Sequence, residues 1–166
     1  VTSDKGPAVA NAMAGKQVTG GDSNGRDTIV VFTSVHGDMH GAHGLFRKGW
    51  PHEESVRVPL LIRAPGVKAR RDDAAVSLAD LMRLTLGLDV PHPTYARISM
   101  PSVVALPDQC DRVWQGMRTK TRKLVLNADG TPWLIFDLEK DPLEMENLAE
   151  DPARLEEMEE LWQRAG

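Results

Sequence analysis

The first sustained apolar stretch is Ile29-Val-Val-Phe32, framed by Thr28 and Ser34. A continuous, β-branched run of this length predicts a strand covered on both faces, as in a parallel sheet. Val35 reads as an extension of that strand. A second run, Arg57–Arg63, predicts another strand; Pro59 cannot donate to a ladder, so it belongs at the strand's start or on an edge. Ala64-Pro-Gly66 supplies the turn that ends it. Ser77 is placed as a helix N-cap with Asp80 three residues on and Val76 opposite Leu81. Gly87 stops that helix, and Leu78, Leu81, Met82 and Thr85 or Leu86 form the stripe that would cover a sheet face. Residues 88–112, with prolines at 91, 93, 101 and 107, read as a connector.

Beyond it, Arg112–Arg118, Arg122–Leu126 and Trp133–Asp137 predict three strands. The last two join through Asn127-Ala-Asp-Gly130, where glycine is available for positive φ. Asp151 and Pro152 are N-cap and first residue of a final helix with Leu155, Met158, Leu161 and Trp162 on one face. Glu156, Glu157, Glu159 and Glu160 are expected on its outer side. The opening segment is interrupted at Gly6-Pro7, Gly15, Gly20-Gly21 and Gly25 and holds few large apolar side chains. It reads as a loose leader with at most one short helical turn near Ala8 to Ala14. The fold class is α/β: a partial parallel sheet with covering helices, then a small C-terminal antiparallel sheet and helix. The divisions are a flexible leader (1–26), an α/β segment (27–90), a Pro-rich connector (91–111) and the C-terminal sheet plus helix (112–166).

Composition narrows the function classes. At 166 residues, with 41% hydrophobic and 27% charged side chains, the chain suits one ordinary domain or a piece of a larger one. A net charge of −4 and a pI near 5.7 argue against nucleic acid as a partner. The basic clusters Lys68-Ala-Arg70-Arg71 and Arg118–Lys123 read as solvated faces. One cysteine forms no internal disulfide, which leaves the compartment open. The N-terminus has no basic and apolar leader of the secretory kind, and no run approaches the ~20 apolar residues of a membrane span, so a soluble chain is expected.

The candidate chemistry follows the first strand, in a loop dense in histidine and glycine; ligands of open α/β sheets bind at the carboxyl ends of strands. His36, His40 and His43 have spacings that would align on a helix, but Gly37, Gly41 and Gly44 each cost a helix about 1 kcal/mol, so the segment is a loop. A zinc protease would also need glutamate where Gly37 stands. Weak binding of zinc, copper or nickel by these imidazoles is the other metal reading. Asp38 and Glu53 are placed to pair with Arg47 or Arg57, and Ser34 and Ser55 have no histidine at a spacing that specifies a nucleophile.

The run Phe32-Thr-Ser-Val-His-Gly-Asp-Met-His-Gly-Ala-His-Gly44, continuing through Leu45-Phe-Arg-Lys48-Gly-Trp-Pro-His-Glu-Glu-Ser-Val-Arg57, resembles a signature in the second half of sulfatases, within the alkaline-phosphatase-like superfamily. Leu124–Gly130 and Phe136–Ala149 resemble the family's C-terminal strands and closing Asp-Pro segment, so the resemblance covers about residues 27–165. It implies hydrolysis of a sulfate ester on a small molecule or a sulfated glycan, with a divalent metal, calcium or manganese, as cofactor. Carried over by position, His36 falls on the second metal-ligand place and Lys48 on the lysine that contacts sulfate and serves catalysis. His43, in Gly41-Ala-His-Gly44, falls with the substrate-binding residues, with loop shaping as its other reading. The first ligand place holds Val35, which has no lone pair. The family's Cys/Ser-x-Pro-x-Arg nucleophile motif has no counterpart, since Cys110 lies in Cys110-Asp-Arg-Val-Trp114. The chain therefore reads as the C-terminal half of a sulfatase, inactive alone, with the N-terminal half as an expected partner. A phosphonate or phosphodiester hydrolase of the same superfamily and a non-catalytic binding module are the alternatives.

Overall fold

In the computed structural model, residues 28–86, 94–103 and 106–165 are described. The leader, the turn near Ala8, the Gly87 stop and the prolines at 91 and 93 lie outside them. The described order is β1 (Val30–Thr33), α1 (Glu53–Val56), β2 (Leu60–Arg63), α2 (Leu81–Thr85), β3 (Tyr95–Met100), β4 (Trp114–Thr119), β5 (Arg122–Asn127), β6 (Pro132–Asp137) and α3 (Pro152–Ala165). Single turns of 3-10 helix span Ala42–Gly44 and Leu78–Asp80.

The α/β class holds, but the first strand pairs differently from the expectation. Among the described residues β1 pairs with β2, antiparallel, from Val30 opposite Arg63 to Thr33 opposite Leu60. One face of this two-stranded ribbon is open, with Phe32 61% exposed and Val30 and Leu61 exposed beside it, while Val31, Thr33, Leu60 and Ile62 on the other face are half-buried. A run of apolar residues reports that a strand would bury both faces, not what covers them. β1 ends at Thr33, so Val35, 88% exposed, belongs to the loop and not to the strand.

β3 to β6 form one antiparallel sheet in sequence order. β4, β5 and β6 fall on the three runs expected to be strands, β4 starting at Trp114, and Gly130 takes φ +86 in the turn between β5 and β6. β3 lies within the stretch read as a connector: its flanking prolines hid a six-residue strand that pairs with β4 along its whole length. The sheet has two differently used faces because successive side chains alternate. Met117, Leu124, Leu126 and Ile135 face α3, where Met158 is buried and Leu155, Leu161 and Trp162 pack around it. Trp114, Val125 and Cys110 make a second cluster on the other face, packed by Trp50, Val56, Ile98 and Met100.

Asp151 caps α3 through its carboxylate, which accepts the Ala153 N–H at 3.0 Å. Glu157 is not on the outer side with its neighbours; it receives Arg122 at 3.3 Å and Arg154 at 2.8 Å. Ser77 accepts the Ala79 N–H at 3.2 Å, but the buried member of the next helix is Leu84, while Met82 and Leu86 are exposed. Leu81 and Thr85 of the expected stripe are half-buried beside Leu84, three and four residues apart on one helix face, and Met82 and Leu86 lie off that face.

A chain ending at Glu150 is expected to unfold at a lower urea concentration than the full chain. Burial of each large side chain of the α3 stripe contributes ~1.5–3 kcal/mol. Equal urea midpoints would show that α3 does not hold the sheet.

Candidate functional site

The loop between β1 and β2 is built around backbone hydrogen bonds that close it on itself. Met39, buried, donates its N–H to the Arg47 carbonyl at 2.9 Å, and Gly41 donates to the Leu45 carbonyl at 2.9 Å. Several residues there take left-handed φ, among them His40, Gly41, His43, Gly44 and Arg47, so the three histidines share no helix face. Asp38 Oδ1 accepts the His40 N–H at 3.0 Å, so it turns its own loop and does not pair with Arg47.

Two of the loop's polar side chains meet. His36 Nδ1 lies 2.7 Å from the Gly37 carbonyl oxygen, which only accepts, so Nδ1 carries the proton. Nε2 is then the acceptor, and the Lys48 ammonium sits 3.0 Å from it. The loop thus presents on its exposed side an ammonium steadied by the in-plane lone pair of the ring nitrogen.

His43 is engaged elsewhere. Its ring stacks on His52 with centroids 4.0 Å apart and planes 17° apart, and its Nε2 lies 3.9 Å from Glu54. His52 Nδ1 in turn donates to Glu144 at 3.2 Å. His43, His52 and Glu144 place ligand-type atoms within 4.8 Å of one another, the arrangement a soft divalent cation would need. Stacked rings, however, aim their lone pairs side by side, and Glu144 is already occupied by His52, by the Glu53 N–H at 2.9 Å and by Lys123. The trio is a brace between the loop and the segment after β6.

The strand-end position that a metal would take is tested by the same geometry. Sulfatases generally bind a divalent metal, and a hard cation such as calcium wants six to eight oxygens. Here Val35 offers none, Asp38 Oδ1 serves the loop, and His36 offers one nitrogen. These residues do not by themselves make a site for a hard cation.

What the sequence did not reveal lies beneath the loop. Lys123, read as part of a solvated basic face, is fully buried. Its ammonium reaches Glu53 at 2.8 Å, the Pro51 carbonyl at 3.0 Å and Glu144. Arg118 also pairs with Glu53, at 3.2 Å, and Arg122 with Asp137 at 2.7 Å. Arg57 stays near Glu53 at 3.8 Å. The strand parity of Lys123 matches that of buried Val125, which points it at the loop; that parity was the available signal.

Burial acts to raise the Glu53 carboxyl, but Lys123 and Arg118 outweigh it and hold it below the ordinary range. Burial likewise acts to raise the Glu144 carboxyl, but the hydrogen bond it accepts from His52 and the Lys123 ammonium beside it together hold it below the ordinary range. A carboxylate held low in the folded state adds stability that is complete above its unfolded value, ~4.3, and is lost as pH falls through the folded value. The urea midpoint is expected to stay level down to about pH 5 and to drop below it. Glu144→Gln should flatten that acid-side drop; an unaltered slope would show that this carboxyl does not drive it.

Comparison with known proteins points one way. A family model described as Sulfatase matches residues 22–88. An arylsulfatase of Clostridium perfringens is 33% identical over 74% of this chain and 29% of its own length. A choline-sulfatase of Rhizobium meliloti is also 33% identical, over 76% of this chain and 28% of its own. The chain therefore spans under a third of the curated relatives it matches. Among solved structures, BT4656 in complex with its substrate D-glucosamine-2-N,6-O-disulfate superposes with a TM-score of 0.56 and 25% identity, over 83% of this chain and 34% of that one. A phosphonate monoester hydrolase of Agrobacterium radiobacter superposes with a TM-score of 0.57 and 25% identity, over 84% of this chain and 35% of that one.

Proposed function

The chain belongs to the sulfatase family, and from that premise we propose that it forms part of a sulfuric ester hydrolase and carries the side of the site that holds the sulfate group. The observation that carries this reading is the Lys48 ammonium, 3.0 Å from His36 at the carboxyl end of β1. An ammonium there neutralises charge on a sulfate oxygen and stabilises the charge that grows on the ester during cleavage. His36 turns Nε2 to the same place, where its lone pair accepts from the Lys48 ammonium; by family position it is the second ligand of the divalent cation, a role that requires Lys48 to release that nitrogen. His43 shapes the loop by stacking on His52, and by family position it stands with the substrate-binding residues. The substrate class is a sulfate ester of a small molecule or a sulfated glycan, supported by the disulfated glucosamine bound to one structural neighbour.

The nucleophile and the oxygen ligands come from the N-terminal half of such an enzyme. The open face of the β1–β2 ribbon, at Val30, Phe32 and Leu61, supports a partner there. The domain divisions at 26, 90 and 111 stay part of this proposal, with β3 joined to the C-terminal sheet. No helix among the described residues is long and apolar enough to cross a membrane.

The test has two arms. Inorganic sulfate is titrated into the labelled protein while the Lys48 and His36 resonances are followed, with phenylphosphonate in parallel because of the hydrolase neighbour. Saturable sulfate shifts that vanish in Lys48→Ala are expected; tighter phenylphosphonate binding would favour the phosphonate reading, and binding of neither would leave a non-catalytic module. In the second arm Val35→Asp places a carboxylate beside His36, where exposure makes it cheap. Calcium or manganese should then raise its thermal midpoint and not that of the parent, because binding stabilises the folded state by ~2.7 kcal/mol at a hundredfold excess over Kd. A midpoint indifferent to both cations would remove His36 from the metal reading.

A further inference from the structure

One residue touches the backbone on both sides of the His36 and Lys48 contact. Ser55 accepts the Gly37 N–H on its carbonyl at 2.8 Å and the Gly49 N–H on its hydroxyl at 3.1 Å. Gly37 follows His36 directly and Gly49 follows Lys48, so α1 refers both side chains to one point. Trp114, buried in β4, adds a third fix by donating Nε1–H to the Gly49 carbonyl at 2.8 Å.

α1 has only four residues and no side-chain cap, so it does not hold its own place. It is held from the sheet. Lys123 crosses from β5 to Glu53 and to the Pro51 carbonyl, while Glu144 takes the Glu53 N–H and His52 Nδ1–H. Ion pairs this deeply buried gain little net stability over apolar side chains of the same shape. What they do fix is direction, because each bond has one geometry.

We propose that Lys123, Glu53 and Glu144 are positioning residues that set the His36–Lys48 separation through Ser55. Its functional meaning rests on the sulfate-holding reading of Lys48, but the geometry stands or falls without any anion present.

The full chain, labelled with nitrogen-15, tests this through the His36 ring resonances, which report which nitrogen bears the proton and what the other accepts. Lys123→Met strands the buried Glu144 carboxylate and is expected to cost a large part of the folding stability, so Ser55→Ala and Glu53→Ala carry the experiment; Glu53→Ala leaves Lys123 paired with Glu144. In both, the His36 Nε2 resonance is expected to move and its correlation with the Lys48 ammonium to be lost, while amide resonances of β4 to β6 stay in place. Glu53→Gln, which keeps the acceptor, should restore the parent pattern. Met158→Ala, on the far face of the sheet, should lower the melting temperature and leave the pattern alone. An unchanged His36 pattern in Ser55→Ala or Glu53→Ala overturns the proposal. So does an equal change in Met158→Ala, which would make the effect one of general stability. Failure of sulfate to shift Lys48 bears on the proposed function and leaves this result standing.

Discussion

Replacing Lys123 by methionine is expected to remove about 3–5 kcal/mol of folding stability, a large part of the ~5–15 kcal/mol a domain of this kind has. The methionine fills similar volume, so the loss comes from the charges left behind. Glu53 keeps Arg118 at 3.2 Å, whereas Glu144, almost fully buried, keeps only the His52 and Glu53 N–H donors. Lys123→Met combined with Glu144→Leu should therefore recover part of the loss, since the stranded carboxylate is gone. Urea denaturation of the two variants decides the matter. A loss below about 1 kcal/mol in the single variant, the size of an exposed ion pair, would mean the ammonium is not buried in solution.

The second large effect is expected at Gly37. A Cβ added there would lie 1.9 Å from the Glu54 carbonyl oxygen and 3.3 Å from Ser55 Cα, and both are backbone atoms that cannot rotate away. Gly37→Ala must push the loop off α1 and break the 2.8 Å bond to Ser55. Overpacking of this kind costs ~1–3 kcal/mol. Gly44→Ala is the comparison, because its Cβ would meet nothing within 4 Å and only its φ of +70 opposes the change, at ~1–2 kcal/mol. Gly37→Ala should also lose the contact between His36 and Lys48, and Gly44→Ala should keep it. If both variants retained that contact, the close approach at Gly37 would not be what sets the loop.

Much of this was legible in the residues, and the parts that were not share a cause. Short strand-like runs and the Gly130 turn located β4, β5 and β6, and the Asp151-Pro152 start located α3, because both signals are local. The loop was legible from its glycines, but the meeting of Lys48 with His36 was not, because family spacing assigned the two residues separate roles and carried no contact between them. β3 was hidden by prolines that flank it and do not interrupt it. The pairing of β1 was hidden because an apolar run carries no direction. Lys123 escaped because a cluster of six residues holding four cations reads as surface, and only its partners on distant segments make burial affordable. His52 and Glu144 were passed over for the same reason: nothing near either in sequence announces the other.

Those distances along the chain fix an order of events. His52 and Glu144 are 92 residues apart, and Lys123 and Pro51 are 72 apart, yet both contacts hold the same short helix. Contacts of such separation form late, after local structure has paid for the closure of the intervening loop. During synthesis, the loop bearing His36 and Lys48 leaves the ribosome early and then waits, at ~5–20 residues per second, for the segment through Glu144. Over those seconds the nascent polypeptide holds the residues of its site without their arrangement. The site is thus completed from the C-terminal side.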